Sequence, residues 1–594
     1  MFNPEENRVD YGKILTPPDG FDLGFAIGTT YSLDLNALVG ACMSLGLGAE
    51  TESKLFDNKI FMLDVLRKAC DKFVLFCEAG QIHYPSKVTP LFALLENSVF
   101  QVALKGRKTA YPSFHPKFWL IEYVNAKREK RYRLIVLSRN LTFDKSWDIT
   151  VSLDGFVTSE PTKKNEPIKD FLEFLLNYLP KTESGRKRKS EISRLVKALD
   201  YVEFRTEHKA FESVDFIPLG IKEYSICNYP LFGKNKYYEL LVMSPFLSKS
   251  TISGLNGRWK KSTVKPALFT RKQSLSDFNT DNCGNFDVYC LRDEVVNGET
   301  NDETKYERDI HAKLYLLRDG FYSDAEVYLG SMNASDNAMN GNVEFMVRLT
   351  CKRKYLTLES IKKQLFCGEY DDARNPFEQI TDVEKLSFEA EAEENLDAII
   401  KAICRSNPHA TVTPHDDNYD VIVEFGKKQL PDNVLIRPLF SYGEKPLAAV
   451  VEFNGVPMKE LSKLYKITVR GNRKTVERII TIPTYGIPDE RYDAAVAAII
   501  PDSKSFYAYL SFMLEDNPTF GAAEALRILA ENGENYGVNG KVPVAALYEK
   551  LLKTAATDPK KFDDVEYVMK AIRNEDIVPN EFAELFDTFK KAVK

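Results

Sequence analysis

A set of five side chains occurs twice in the chain, and no other feature restricts the possible folds as strongly. Each set contains a histidine, a lysine two residues later, a serine, an asparagine and an acid. The first set is His115, Lys117, Ser138, Asn140 and Asp148, and the second is His311, Lys313, Ser331, Asn333 and Glu344. In both sets the acid follows its histidine by 33 residues. The repeat predicts duplicated lobes that each supply half of one site.

The repeat must be weighed against chance, because the chain contains only 6 histidines but many lysines. A single His-x-Lys is expected by accident in about half of such chains. Here both copies open an apolar strand, and both are followed by Ser-x-Asn at the end of a second strand. These shared surroundings reduce the chance of coincidence to about a few per cent.

Hydrophobic patterning predicts alternating strands and helices around both sets. Strands are predicted at residues 24–28, 73–77, 117–123, 132–137, 240–243, 286–291 and 327–329, and helices at residues 35–47, 60–72 and 169–178. This alternation is typical of α/β sheets. Because His115 and Lys117 lie two residues apart, both should project from one face of their strand.

Changes in composition and hydrophobic patterning along the chain predict four domains. We place a first lobe at residues 1–190, ending in the basic stretch 181–189, and a second lobe at residues 191–367. An acidic run at residues 389–394 and several strand-like segments predict a β-rich accessory domain at residues 368–490. Helical patterns, one of them stopping at Asn532-Gly533, predict a small α-helical domain at residues 491–594.

Composition sets the class and compartment that we expect. The chain is 44% hydrophobic and 28% charged, which is typical of a folded globular protein. Its net charge of −6 gives no general attraction to a polyanion, so contacts to nucleic acid would need local basic patches. The 9 cysteines form no C-x-x-C pair, and neither a secretory signal nor a membrane-spanning run is present. We therefore expect a cytoplasmic protein.

The repeated side chains suit phosphoryl transfer. A histidine can attack phosphorus through a ring nitrogen while a second histidine protonates the departing oxygen. The lysines and asparagines can stabilise the charge on the phosphate oxygens, and Asp148 and Glu344 can each fix a histidine tautomer. Nothing in this set requires a metal ion or another cofactor. Because the two histidines must start in different protonation states, a bell-shaped pH profile is expected.

These residues resemble the phospholipase D superfamily, whose members join two H-x-K and G-S-x-N half-sites into one active site. The resemblance covers residues 20–360. In the common form of that family an Asp follows the Lys after four intervening residues, but Glu122 and Arg318 occupy those positions here. The departure favours the His-Lys-Asn variant, found in tyrosyl-DNA phosphodiesterase and in related nucleases of bacterial defence systems. The implied fold is α/β, with two pseudo-symmetric lobes.

The resemblance also implies a role for each repeated residue. His115 would be the nucleophile, with Glu344 supporting it, and His311 the general acid, with Asp148 supporting it. The phosphate would be held by Lys117, Lys313, Asn140 and Asn333, and the substrate would also contact Ser138 and Ser331. The family glycine is present as Gly330 but replaced by Leu137 in the first set, which predicts a tighter or differently shaped first phosphate loop.

Other residues bear on the substrate. The basic runs 186–189, 258–261 and 271–272 could contact phosphates, and Trp259, Tyr237 and Tyr238 could stack on bases. For any one run a solvated surface is the more common explanation, with a prior of about two in three. The remaining histidines, His83, His208, His409 and His415, have no repeated surroundings and are interpreted as structural or surface residues.

We therefore predict a metal-independent nuclease that cleaves DNA through a phosphohistidine. No basic amphipathic helix or lipidation signal favours a membrane substrate, and the apolar stripe at residues 582–593 is typical of core packing. No P-loop is present, so any ATP-driven step would need a helicase or ATPase partner. The alternatives are a phospholipid or tyrosyl-DNA phosphodiesterase, and a catalytically inactive scaffold that binds nucleic acid.

Overall fold

The protein is described from a computed structural model. The residues that the structure describes are 2–46, 58–104, 112–206, 208–229, 232–233, 235–261, 264–297, 309–383, 395–426, 431–515, 518–530, 544–572 and 576–593. The acidic run at 389–394 and the Asn532-Gly533 signal lie outside these ranges.

The first lobe is built on a mixed sheet of seven strands, in the order β4-β2-β1-β5-β6-β7-β8. The strands of this part of the chain are β1 (Phe21–Thr30), β2 (Phe73–Glu78), β3 (Ile82–His83), β4 (Val99–Val102), β5 (Phe118–Asn125), β6 (Lys130–Leu137), β7 (Thr150–Val157) and β8 (Val202–Arg205). The helices are α1 (Tyr11–Leu15), α2 (Leu35–Gly46), α3 (Lys59–Ala69), α4 (Phe92–Leu95), α5 (Glu166–Leu175) and α6 (Glu183–Ala198).

The second lobe contains a sheet of eight strands in the order β16-β12-β11-β10-β13-β14-β15-β9. Its strands are β9 (Phe211–Leu219), β10 (Glu239–Met243), β11 (Ala267–Phe269), β12 (Asp287–Leu291), β13 (Leu314–Arg318), β14 (Ala325–Gly330), β15 (Glu344–Cys351) and β16 (Phe377–Ile380). The helices are α7 (Lys249–Asn256), α8 (Thr280–Cys283), α9 (Asp293–Asn297), α10 (Asp336–Asn340) and α11 (Leu358–Leu365).

Seven neighbouring strand positions correspond between the two sheets. In each lobe the central strand, β1 or β10, pairs in parallel with one neighbour and antiparallel with the strand that follows the His-x-Lys. In each sheet two more antiparallel strands follow, β6 and β7 in the first and β14 and β15 in the second. The last of them begins at the acid or just after it. The edge strands β8 and β9 are consecutive in the chain, so the polypeptide leaves one sheet and enters the other at equivalent edges. The predicted pair of pseudo-symmetric α/β lobes is confirmed.

The next part of the chain is rich in strands, as predicted. It contains α12 (Leu396–Cys404), β17 (His409–His415), β18 (Asn418–Glu424), β19 (Val434–Pro438), β20 (Lys445–Pro446), β21 (Val450–Val456), β22 (Leu464–Arg470), β23 (Thr475–Thr481) and β24 (Thr484–Tyr485). These strands form a sheet of order β21-β18-β17-β24 and another of order β20-β19-β22-β23-β3. Since β3 belongs to the first lobe, this region shares a sheet with it.

The C-terminal part is helical, also as predicted. Its helices are α13 (Glu490–Ile499), α14 (Ser503–Leu514), α15 (Pro518–Ala530), α16 (Val544–Thr557), α17 (Lys561–Ile572) and α18 (Asn580–Val593). Phe582, Phe586 and Phe589 are buried in one apolar core with α2 and α3 of the first lobe. The stripe on α18 is therefore core packing. The bounds of the four domains stay a prediction.

The basic stretch 181–189 differs from its prediction as a boundary segment, because most of it lies in α6. Thr182 caps this helix by accepting from the backbone N–H of Gly185. Arg188 is buried and donates to the backbone carbonyls of Cys70 and Asp71. Burial of a guanidinium requires such partners, so this arginine stabilises the lobe and is not available to a polyanion.

Candidate active site

The two half-sites are joined by backbone hydrogen bonds that cross between the lobes. The backbone N–H of His115 donates to Val343 O (2.9 Å), and that of His311 donates to Trp147 O (2.8 Å). Val343 and Trp147 each come immediately before the acid of their own lobe. Each histidine is thereby aligned with the acid of the opposite lobe, and the arrangement follows the pseudo-symmetry of the sheets.

The side chains repeat this crossed pairing. His115 Nδ1 lies 2.9 Å from Glu344 Oε2, and His311 Nδ1 lies 3.0 Å from Asp148 Oδ1. A carboxylate can only accept, so each Nδ1 carries the proton and each Nε2 keeps a lone pair in the neutral ring. The cross-lobe pairing implied by the resemblance is what the structure contains.

The two serines hold the acids. Ser138 Oγ donates to Asp148 Oδ1 (2.7 Å), and Ser331 Oγ donates to Glu344 Oε2 (2.5 Å). Both hydroxyls also accept a backbone N–H from the residue after the acid, at 2.8 and 3.0 Å. Because both side chains are buried and engaged in this way, the structure places them behind the carboxylates, not on the face open to substrate as the sequence had suggested.

The lysines are buried beside the histidines. Lys117 Nζ lies 3.0 Å from His115 Nε2 and donates to the backbone carbonyl of the same histidine at 3.2 Å. Lys313 Nζ donates to His311 O at 2.6 Å. Both lysines are 0% exposed. Two ammonium groups held in one buried site form a strong binding place for an anion.

The asparagines complete the repeated set. Asn140 Oδ1 accepts weakly from Ser32 N at 3.5 Å, whereas the Oδ1 atom of the buried Asn333 has no partner within the described part of the chain. A buried amide without a partner is costly unless a ligand or water satisfies it. A phosphate would contact the Nδ2 donor of Asn333, because Oδ1 is an acceptor like the phosphate oxygens and needs a donor such as water.

Burial and like charges set the protonation of the site. Burial lowers the pKa of His115 to about 4, against the opposing effect of Glu344, and the charges of Lys117 and Lys313 lower it further. Burial and Lys313 likewise lower the pKa of His311, against the effect of Asp148. Burial lowers the pKa of Lys117 to about 8, and burial with the Lys117 charge holds that of Lys313 well below its ordinary value. Both histidines are neutral at pH 7 before an anion binds.

The lowered pKa of Asp148 favours its charged form, whereas the lowered pKa values of the histidines favour their neutral forms. Burial alone would raise the pKa of its carboxyl, but the hydrogen bonds from His311 and Ser138 and the charge of Lys313 bring the pKa below its usual value. The acid therefore stays ionised at neutral pH and can stabilise a positive charge on His311.

The reasoning from sequence missed a group of side chains around the first half-site. Tyr31 packs against His115 with ring centroids 5.1 Å apart. The buried Glu78 accepts from the backbone N–H of Phe114 at 2.6 Å, directly before His115, and pairs with Lys401 at 3.0 Å. Lys401 comes from α12, far away in the sequence. These residues are not repeated in the second set, so a search for repeats could not reveal them.

Arg271 is the missed residue at the second half-site. It lies just after β11, at the position that Glu78 occupies at the end of β2, since the registers with β10 and β1 are equivalent. Its Nε donates to Ile310 O at 2.6 Å, directly before His311. Its basic character was noted in the run 271–272, but its place beside the histidine was not predicted.

The other proposed nucleic-acid contacts have mixed outcomes. Tyr237 is 0% exposed and donates its hydroxyl to Leu255 O at 2.7 Å, so it is not available for stacking. Trp259 is partly buried, and Lys272 pairs with Asp293 (2.8 Å) and Glu378 (2.6 Å). Of the predicted basic runs, Arg271 is the residue that borders the site.

Glu122 and Arg318, which replace the aspartates of the common family form, are both buried and ion-paired. Glu122 accepts two hydrogen bonds from Arg194 at 2.8 and 2.9 Å, and Arg318 donates to Glu239 at 2.7 Å. Neither contacts a member of the repeated set. These positions stabilise the lobes here.

Within the described ranges given above, no group of three or more His, Cys, Asp or Glu side chains is arranged to hold a metal ion. No helix in that part of the chain is both long enough and apolar enough to span a membrane.

The fold and the crossed half-sites together define a two-lobed α/β protein with one composite site, in agreement with the resemblance seen in the sequence. No protein-family model matches the chain, and no curated protein matches it. Among solved structures, yeast tyrosyl-DNA phosphodiesterase is similar at 12% identity over 59% of this chain and 89% of that one, with a TM-score of 0.34. Polyphosphate kinase from Porphyromonas gingivalis is similar at 14% identity over 67% of this chain and 51% of that one, with a TM-score of 0.34.

Proposed function

We propose that the protein is a phosphodiesterase that cleaves DNA through a phosphohistidine on His115 and needs no metal ion. The observation that carries this proposal is the crossed pairing of each histidine with the acid of the other lobe. That pairing fixes one ring nitrogen of each histidine as a donor and leaves Nε2 for chemistry.

In the first step, His115 Nε2 attacks phosphorus and forms an N–P bond while the bond from phosphorus to the leaving oxygen breaks. His311 gives its Nε2 proton to that oxygen. In the second step, a water oxygen attacks phosphorus, its proton passes to His311 Nε2, and the N–P bond breaks. Both histidines return to their starting states, so hydrolysis consumes only water.

The lysines supply the positive charge that a metal ion supplies in other phosphodiesterases. Lys117 and Lys313 are buried next to the reacting nitrogens, and their ammonium groups can neutralise the nonbridging oxygens as negative charge grows. Asn140 and Asn333 add neutral donors. Ser138 and Ser331 act as positioning residues, because they hold the carboxylates and not the phosphate.

The reaction requires the two histidines to differ in protonation when the substrate is bound. The neutral His115 is ready to attack, but His311 must gain a proton before it can act as an acid. A bound phosphodiester anion offsets the lysine charges that lower the pKa of His311, and Asp148 favours the imidazolium. Proton uptake at His311 therefore accompanies binding.

DNA is the substrate that we propose because cationic and aromatic side chains border the second half-site. Arg271 lies there, with the exposed ring of Phe246 5.4 Å from its guanidinium carbon. Such groups contact phosphates and bases. A helicase or ATPase partner and a role in bacterial defence stay predictions from the sequence.

The test is to incubate the protein, in excess EDTA, with labelled single-stranded DNA, duplex DNA, RNA, a 3′-tyrosyl oligonucleotide and phosphatidylcholine vesicles. We expect cleavage of DNA that persists in EDTA and is lost in the His115→Ala and His311→Ala variants. Turnover of lipid or of the tyrosyl ester without DNA cleavage would replace the nuclease by those alternatives. Binding of DNA without turnover of any substrate would favour the inactive scaffold.

A further inference from the structure

We infer that Phe246 and Arg271 form a subsite for the nucleotide on the leaving-group side of the scissile phosphate. This inference rests on the proposed function and specifies which part of the substrate the second half-site recognises. The base would stack on Phe246, and the neighbouring phosphate would bind to Arg271.

Equivalent backbone positions reveal how the two half-sites differ here. Leu141 N donates to Thr30 Oγ1 (3.0 Å) in the first lobe, and Ala334 N donates to Ser244 Oγ (2.9 Å) in the second. Each hydroxyl in turn donates to the carbonyl two residues later, at 2.8 Å in both lobes. That later residue is Ser32 in the first lobe and Phe246 in the second.

The residues at this shared position differ in size and exposure. Ser32 is buried at 8% exposure, whereas Phe246 is 51% exposed. The backbone of Phe246 is fixed by the Ser244 hydrogen bond and by the bridge between Leu247 and Ala334, the residue after Asn333. The backbone that carries this solvent-exposed ring is therefore fixed close to the segment that follows Asn333.

Arg271 is fixed over this ring and beside the general acid. Its guanidinium carbon lies 5.4 Å from the Phe246 ring centroid, and its Nε donates to Ile310 O, directly before His311. Its Nε also lies 4.0 Å from Asp309 Oδ2, whereas no residue that the structure describes accepts a hydrogen bond from its two terminal nitrogens. An arginine held through Nε presents those donors in the geometry that suits a phosphate.

The direction of the reaction decides which nucleotide occupies this place. Attack by His115 proceeds in line, so the leaving oxygen departs toward His311. The nucleoside that carries this oxygen must lie on the His311 side of the site, where Phe246 and Arg271 are. At the equivalent place on the other side, the carboxylate of Glu78 and the small Ser32 offer neither a stacking surface nor a phosphate contact.

The test uses a single-stranded thymidine dodecamer with one central tetrahydrofuran abasic residue. The abasic residue is the leaving side for one flanking phosphate and the retained side for the other. We expect the wild-type protein to cleave the first of these phosphates about tenfold more slowly than the second, because one stacked base is lost. The unmodified dodecamer serves as the reference for both positions.

The variants identify the side chains responsible. Phe246→Ala should cleave the two flanking phosphates at equal rates, and Phe246→Trp should keep the difference. Tyr322→Ala removes an 87% exposed aromatic residue from the β13–β14 turn and should also keep it. Arg271→Gln should reduce the salt dependence of oligonucleotide binding by about one phosphate contact.

The outcomes separate the two proposals. If the wild-type protein does not cleave the unmodified dodecamer, the proposed function falls and the subsite falls with it. If it cleaves the dodecamer but treats both flanking phosphates alike, or if Phe246→Ala keeps the difference, the subsite alone is overturned. An unchanged salt dependence in Arg271→Gln overturns the assignment of the phosphate contact.

Discussion

The two half-sites carry the same reacting side chains. The side chains that bind the residue before each histidine, however, have opposite charges. Glu78 accepts from the N–H before His115, whereas the equivalent Arg271 donates to the carbonyl before His311. At another equivalent pair, Glu122 binds Arg194 and Arg318 binds Glu239. The backbone geometry around each histidine is thus preserved while the equivalent side chains have opposite charges, each facing a partner of the other sign. We expect the two halves to have distinct roles, which kinetic experiments can test, and different stabilising contacts, which unfolding experiments can test.

The largest expected effect comes from removing one histidine at a time. His115→Ala should abolish turnover of every substrate, by about 10⁴-fold or more, because no nucleophile remains. His311→Ala should lose about 10²–10⁴-fold on a nucleotide leaving group, but less on thymidine 5′-(p-nitrophenyl phosphate), whose leaving group departs without protonation. Rates would be compared, together with the amount of phosphorus-labelled protein after denaturation at alkaline pH, where the N–P bond is stable.

The trapped label distinguishes the roles directly. We expect His311→Ala to accumulate the thymidine 5′-phosphoryl group on His115 with the p-nitrophenyl ester. Label on His311 in the His115→Ala variant would reverse the assignment of nucleophile and acid.

The repeated set, and hence the lobes and the crossed site, could be predicted from the sequence because equal spacing reflects equal strands. The residues that bind the segment before each histidine could not be predicted in this way. Glu78 and Arg271 differ in charge, so no repeat connects them, and Lys401 reaches the site only through the packing of α12 on the first lobe. Tertiary contacts of this kind leave no local pattern. Ser138 and Ser331 could be identified from the sequence as part of the repeated set. Their contacts with the carboxylates could not, because those contacts depend on the register of the strands.

The carboxylates should separate the two limbs of the pH profile. Asp148→Asn and Glu344→Gln should each lower kcat/KM by about 10²–10³-fold, because the histidine loses its orientation and its counter-charge. Each acid raises the pKa of its histidine, so removing it lowers that pKa. Asp148→Asn should therefore move the basic limb to lower pH, because His311 must be protonated.

Glu344→Gln should instead move the acidic limb to lower pH, because His115 must be neutral to attack. A profile of kcat between pH 4 and 9 would record both limbs, because kcat reports the pKa values of the enzyme–substrate complex. If both variants shifted the same limb, the two half-sites would not have the distinct roles proposed.

The ion pair that supports the first half-site should contribute measurably to stability. Lys401→Met leaves the buried Glu78 carboxylate without its counter-ion and should lower the free energy of unfolding by about 3 kcal/mol. Adding Glu78→Gln should recover part of that loss, because a neutral amide can still accept from Phe114 N–H. Urea denaturation of both variants would measure it. A double variant less stable than Lys401→Met would contradict this account.

The smallest expected effect concerns the glycine that only the second half-site retains. Gly330 has a φ of +146°, and a Cβ there would lie 2.3 Å from Phe345 O, on the strand that follows Glu344. Gly330→Ala should therefore cost about 2 kcal/mol of stability. Gly254→Ala, in helix α7 of the same lobe with nothing within 4 Å of the added atom, should be stabilising by about 0.5–1 kcal/mol.

Leu137 takes the place equivalent to Gly330 in the first lobe, so the first half-site reaches the same serine–acid geometry without this backbone conformation. If Gly330→Ala were as stable as the wild-type protein, the two loops would differ in sequence alone and not in the strain that they impose beside the acid.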